Sequence, residues 1–117
     1  MTENRLYDFT FLNKISGGDQ SFILEMINTF KETAPDYLKK ARLYLDNEAI
    51  DALSKETHRF IPGVSFLGAK LLEEDLLKIE DYTKKGENLD KVPELIENVD
   101  HKIHSLIDIF NKEFSTS

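Results

Sequence analysis

His58 is the one histidine that stands in a distinctive run, Thr57-His58-Arg59-Phe60-Ile61-Pro62-Gly63-Val64-Ser65-Phe66-Leu67-Gly68-Ala69. Ile50, Leu53, Thr57, Phe60 and Val64 step by three and four residues, the spacing of one buried helical face. At about 100° per residue His58 sits about 200° from Phe60 and about 140° from Leu53, so its imidazole is expected to face solvent. Its neighbours on that surface are Ser54, Lys55, Ile61, Pro62 and Ser65, with Arg59 and Gly63 adjoining. Several are short or conformationally restricted, which makes a flat surface that a partner protein can approach. A second candidate chemistry is metal binding by Asp100, His104 and Asp108, with His101 nearby, since i, i+4 and i+8 place ligands on one face. The same spacing also describes an ordinary solvated face. No Ser-His-Asp order, glycine-rich phosphate loop or zinc motif is present, which argues against an independent enzyme.

These side chains need helices to position them. A short first helix is expected after Asp8 as N-cap, with Phe9, Leu12 and Ile15 inward and a stop at Gly17-Gly18. Asp19 then caps a long helix carrying Ile23, Ile27, Phe30, Ala34, Leu38, Ala41 and Leu45 inward; the register runs unbroken across Pro35 and predicts one bent helix. Asp46-Asn47 interrupts it. The histidine helix is placed at about 48–62, kinked or ended by Pro62-Gly63, a turn signal in which an interior proline costs about 3 kcal/mol and glycine about 1. Leu72, Leu76, Ile79 and Tyr82 mark the next helix, ending at Lys84-Lys85-Gly86, where cations meet the negative helix end. Glu87-Asn88 links to a last helix with Val92, Ile96, Val99, Ile103, Leu106 and Phe110 inward, Pro93 in its first turn, and an end near Phe114. Phe22, Phe30, Phe60, Phe66 and Phe110 are assigned to the core, and Ser115-Thr116-Ser117 to a frayed tail.

Short links between long amphipathic helices imply antiparallel neighbours. The expected fold is therefore all-α, an up-and-down antiparallel four-helix bundle with an additional short N-terminal helix covering one end. With 117 residues, the chain is read as a single domain over 1–117.

Composition narrows the function. The chain has no cysteine, which removes disulfides and thiolate chemistry. Its net charge of −7, from 22 acidic against 15 basic residues, argues against nucleic acid and an anionic membrane surface. Met1-Thr2-Glu3-Asn4-Arg5 holds no apolar signal region, and no run approaches the ~18 apolar residues of a membrane span. A cytoplasmic location is expected.

His58, Gly63 and Leu67-Gly68-Ala69 together resemble the histidine-containing phosphotransfer (HPt) domains of two-component phosphorelays. Phe11-Leu12-Asn13-Lys14-Ile15-Ser16-Gly17-Gly18-Asp19, with Phe22, Met26-Ile27 and Phe30, looks like the opening of that family, so the resemblance spans nearly the whole chain. It implies that His58 is a phosphoacceptor, taking a phosphoryl group from a receiver-domain aspartyl phosphate and passing it to another receiver. Partners would be response-regulator receiver domains and a hybrid sensor histidine kinase, and the chain a monomeric phosphocarrier with no cofactor of its own. Magnesium would come with the receiver, since no acidic cluster is placed beside His58. An imidazole, with an ordinary pKa of about 6.5, keeps a large neutral fraction at pH 7 and can attack without a dedicated base. Ser54, Lys55, Arg59, Ile61, Pro62, Gly63 and Ser65 would form the docking surface.

Two positions depart from the family pattern: Ile61 and Pro62 stand where the family usually has a lysine and a glycine. Lys55, one turn before His58, and Arg59 beside it keep positive charge nearby. An exposed charge pair at about 4 Å is worth about 1 kcal/mol, so relocating a cation is expected to alter rate more than competence. The departures also motivate an alternative, an HPt-like docking or adaptor module that transfers no phosphate. A dimerisation bundle is a further reading, from the heptad-like spacing of the last helix.

Overall fold

A computed structural model describes residues 6–114. The described residues form five α-helices: α1 (Thr10–Ser16), α2 (Gln20–Asp46), α3 (Ile50–Phe66), α4 (Lys70–Lys85) and α5 (Val92–Glu113). Helix α2 packs on α3, α3 on α4, α4 on α5, and α5 closes the ring on α2. Contacting partners run in opposite directions along neighbouring helices: Ser65 meets Glu73 and His58 meets Glu80 between α3 and α4. Phe30 meets Phe60, and Tyr37 meets Thr57, between α2 and α3. Phe30 likewise meets Phe110 while Arg42 meets Glu97. The four long helices thus alternate in direction around a core that includes Ile27, Ala34, Leu53, Leu76, Ile79, Ile96, Ile103 and Phe110, all fully buried.

Most helix boundaries have a visible cause. The Asp19 carboxylate accepts the Ser21 amide at 2.9 Å and caps α2. Pro35 lies inside the 27-residue α2 without ending it; it is exposed, so the interrupted hydrogen bonding opens toward water. Gly86, at φ 69°, ends α4 behind Lys84 and Lys85. Pro93 falls in the first turn of α5, where its missing N–H costs nothing. A 3-10 turn, Leu89–Lys91, which the sequence did not indicate, leads into it.

Several expectations need correction. The Asp8 carboxylate accepts the Thr10 amide at 2.9 Å and hydroxyl at 2.6 Å, but Phe9 occupies the N-cap position. These hydrogen bonds, the hydroxyl's first, hold the Asp8 carboxyl below its ordinary pKa. Ile15 is 51% exposed rather than inward. Steps of three residues drift by about 60° each, so the stripe that begins at Phe9 and Leu12 has rotated away from the bundle by Ile15. Helix α3 covers 50–66 rather than 48–62. Glu48 has φ 55°, which no helix accommodates, and burial of Val64 and Leu67 carries α3 through Pro62-Gly63. Phe66 is 38% exposed and stacks on exposed Phe11 with ring centroids 5.7 Å apart. It lies about 200° from Val64 on the helix, and Val64 takes the inward position. Phe22 and Phe60 are half-buried against the core. The proposed tail, Ser115-Thr116-Ser117, and the opening Met1–Arg5 lie outside the described residues.

Leu67-Gly68-Ala69 proves to be architecture. Leu67 and Ala69 are buried, and the Asp8 amide donates to the Leu67 carbonyl at 3.0 Å. Gly68 has φ 67°, and a Cβ there would sit 2.0 Å from the Asp8 carbonyl oxygen. A glycine is needed on both counts, conformation and space. The N-terminal segment is thereby strapped across the α3–α4 turn.

Candidate functional site

The rotation of α3 is set one residue before His58. Thr57 is fully buried; its hydroxyl donates to the Leu53 carbonyl at 2.8 Å and lies 2.8 Å from the Tyr37 hydroxyl of α2. Thr57 has one hydroxyl proton, already given to Leu53, so Tyr37 donates to it. Burial pushes the Tyr37 phenol up to about 12, keeping that proton in place. The Tyr37 ring also stacks on Phe60 at 4.6 Å. With Thr57 and Phe60 held inward, the adjacent His58 points out, its side chain 76% exposed.

Glu80 of α4 meets that ring. Its Oε2 lies 2.6 Å from His58 Nδ1, and its side chain is only 18% exposed. A carboxylate can only accept, so in the neutral imidazole Nδ1 carries the proton and Nε2 keeps the free lone pair. Glu80 also fixes the plane of the ring. Around the pair is a shallow hollow of about 390 Å³ lined by Ser54, Lys55, His58, Arg59, Glu80 and Lys84.

The structure gathers part of the expected surface at the histidine. Ser54, Lys55 and Arg59 share its hollow, with Ser54 half-buried. Arg59 is 73% exposed and reaches Glu56 at 3.2 Å. Ile61 is half-buried against the core, and Pro62 is exposed. Gly63 lines a separate groove on the α2 side of α3, of about 390 Å³, floored by Phe30, Phe60 and Tyr37. Nothing lies within 4 Å of a Cβ built on Gly63, so no contact inside the chain requires a glycine there. Ser65 is tied to Glu73 by a 2.6 Å hydrogen bond.

Glu80 and Lys84 were absent from the sequence-derived site. Nothing about their types marks them among 32% charged residues. Helix register could have found them: His58 is seven residues before Ser65, and Glu80 seven after Glu73, across the Gly68 turn. The sequence placed no acidic cluster beside His58; one carboxylate does approach it.

The candidate metal set does not assemble. Asp100 accepts from Arg42 at 2.5 Å and pairs with His104 at 2.6 Å. Among the described residues no group of three or more His, Asp or Glu is placed to hold a metal ion. No helix there is long and apolar enough to cross a membrane.

The family model of the Hpt domain matches residues 25–109, which include His58, Glu80 and the whole of α3 and α4. The chain belongs to the Hpt domain family. Hpt domains are histidine phosphotransfer modules of two-component signalling, phosphocarriers that work with receiver domains and histidine kinases. Among solved structures, the crystal structure of histidine-containing phosphotransfer protein B (HptB) from Pseudomonas aeruginosa PAO1 is similar to this Hpt domain, with a TM-score of 0.87 and 22% identity. The match covers 98% of this chain and 99% of that one and shows a shared all-α bundle. A search of curated protein sequences finds no match.

Proposed function

We propose that His58 is the phosphoacceptor of this Hpt domain, and that the chain relays phosphoryl groups between receiver domains in the cytoplasm. The observation that carries this reading is the Glu80 contact at Nδ1, which leaves Nε2 as the open nucleophile on an exposed ring. In the forward step Nε2 attacks the phosphorus of a receiver aspartyl phosphate in line. The Nε2–P bond forms as the P–O bond to the aspartate breaks, and the aspartate leaves as a carboxylate. The ring becomes an imidazolium at the moment of transfer, and Glu80 offsets that charge at Nδ1. Attack on Nε2-bound phosphorus by the aspartate of a second receiver reverses the same bonds. Magnesium would come with the receiver, where it would offset the negative charge of the transferring oxygens. A hybrid sensor histidine kinase would feed the first receiver.

Docking falls to the surface about His58: Ser54, Lys55 and Arg59 at the hollow, Pro62 and Gly63 one turn on, with Ile61 and Ser65 at its margin. Gly63 has no intrachain reason to be glycine, which suits close approach by a partner backbone. The test is transfer of labelled phosphate from a charged receiver to the wild-type chain and to His58→Gln. Acid-labile, base-stable label on the wild type alone is the expected result. Label on both would move the acceptor elsewhere. Label on neither, with several charged receivers and folded protein, would favour a module that docks receivers without transfer.

A further inference from the structure

Phosphorylation of His58 adds roughly two negative charges beside the Glu80 carboxylate. The position where the family usually carries a lysine offers no help, because Ile61 is apolar and packed against the core. Three cations reach the hollow. Arg59, on α3, is already engaged with Glu56 and also lines the groove on the other side of the helix. Lys55 stands one turn before His58 on the same helix, and Lys84 one turn beyond Glu80 on α4. Neither lysine has a carboxylate within ion-pair distance among the described residues, and both are exposed. They rise from the two helices that wall the hollow, and the antiparallel register places both about one turn from the His58–Glu80 pair, at the same end of it.

We propose that Lys55 and Lys84 form a clamp across the α3–α4 cleft that binds the phosphoryl group on His58 Nε2. The clamp takes over the charge that Ile61 cannot supply, and half of it comes from a helix remote in sequence from the histidine. The two ammonium groups balance the phosphoryl charge, while Glu80 remains bonded to the opposite ring nitrogen. This inference rests on the phosphocarrier reading above.

Phosphoramidate tests it without a docking partner. Nε2 attacks its phosphorus, the Nε2–P bond forms, the donor N–P bond breaks, and ammonia leaves. Label at His58 is followed in the wild-type chain, Lys55→Gln, Lys84→Gln, the double variant, and Lys78→Gln as an exposed α4 lysine outside the hollow. Each single clamp variant is expected to label roughly threefold to tenfold more slowly, and the double roughly tenfold to hundredfold, with Lys78→Gln at the wild-type rate. A double variant that labels like the wild type overturns the clamp. So does a defect seen with charged receiver but absent with phosphoramidate, which would make the lysines docking contacts, and so does an equal loss in Lys78→Gln. A folded wild type that takes no label from either donor overturns the phosphocarrier reading itself.

Discussion

His58 and His104 each place ring Nδ1 2.6 Å from a carboxylate oxygen, on side chains 76% and 72% exposed. Their surroundings differ in kind. Asp100 sits one turn from His104 on the same helix, offers its backbone carbonyl to the same nitrogen at 2.9 Å, and is also held by Arg42 at 2.5 Å. That carboxylate joins α2 to α5. Glu80 comes from the helix facing His58, and no other described side chain bonds its carboxylate. Lysines from both walls then converge on the hollow around His58. A carboxylate near a histidine is therefore not what makes a site. A partner brought from another element, held free for the ring, and set beside two lysines with no carboxylate partner among the described residues is what separates the two.

The largest expected effect tests that contrast directly. His58→Gln abolishes phosphoryl acceptance, while His104→Gln keeps it at the wild-type level; loss in both would erase the distinction. Next comes the carboxylate. Glu80→Ala is expected to slow transfer from a charged receiver roughly tenfold to hundredfold, the worth of a charge-assisted hydrogen bond, whereas Asp100→Asn leaves transfer unchanged. Glu80→Gln should fall between, since its amide oxygen can still accept from Nδ1. Equal rates for Glu80→Ala and the wild type would remove Glu80 from the site.

Smaller effects probe the support behind each ring. Tyr37→Phe removes one buried hydrogen bond to Thr57 and is expected to cost about 1 kcal/mol in chemical denaturation. The smallest effect is the pH dependence of the other pair. The Asp100 backbone carbonyl, then its carboxylate, raise the His104 pKa above its ordinary 6.5. His104's contribution to stability is then fully present just below about pH 6.5, while Asp100 stays ionised, and is lost as pH rises through the raised folded value. Burial alone would push Asp100 up, but Arg42 and His104 outweigh it and hold it below its ordinary value. Denaturation midpoints of wild type and His104→Gln should therefore converge as the pH passes above that range. A gap that widens with pH would reverse the sign and contradict the assignment.

The reach of the sequence differs between backbone and site. Asp19 as cap, the unbroken α2 across Pro35, the Gly86 stop and the inward stripe of α5 follow from local periodicity and capping chemistry, which act within one or two turns. The outward direction of His58 follows from the same arithmetic. The sequence left a kink or an end at Pro62-Gly63 open because local cost was all it could weigh; the helix does not end there but runs on to Phe66, with Val64 and Leu67 buried in the assembled bundle. Ile15 and Phe66 were misplaced for a related reason, since a stripe does not say where the core stops.

The sequence alone determined an all-α chain, its helices nearly to their ends, and one solvent-facing histidine in a family-like run, because these depend on residues three or four apart. Tertiary structure decided that Glu80 holds Nδ1, that Lys84 faces Lys55, that Tyr37 locks Thr57, and that Gly68 must admit the Asp8 carbonyl. Those contacts join residues on separate elements. Only the register of packed helices brings them within hydrogen-bonding reach.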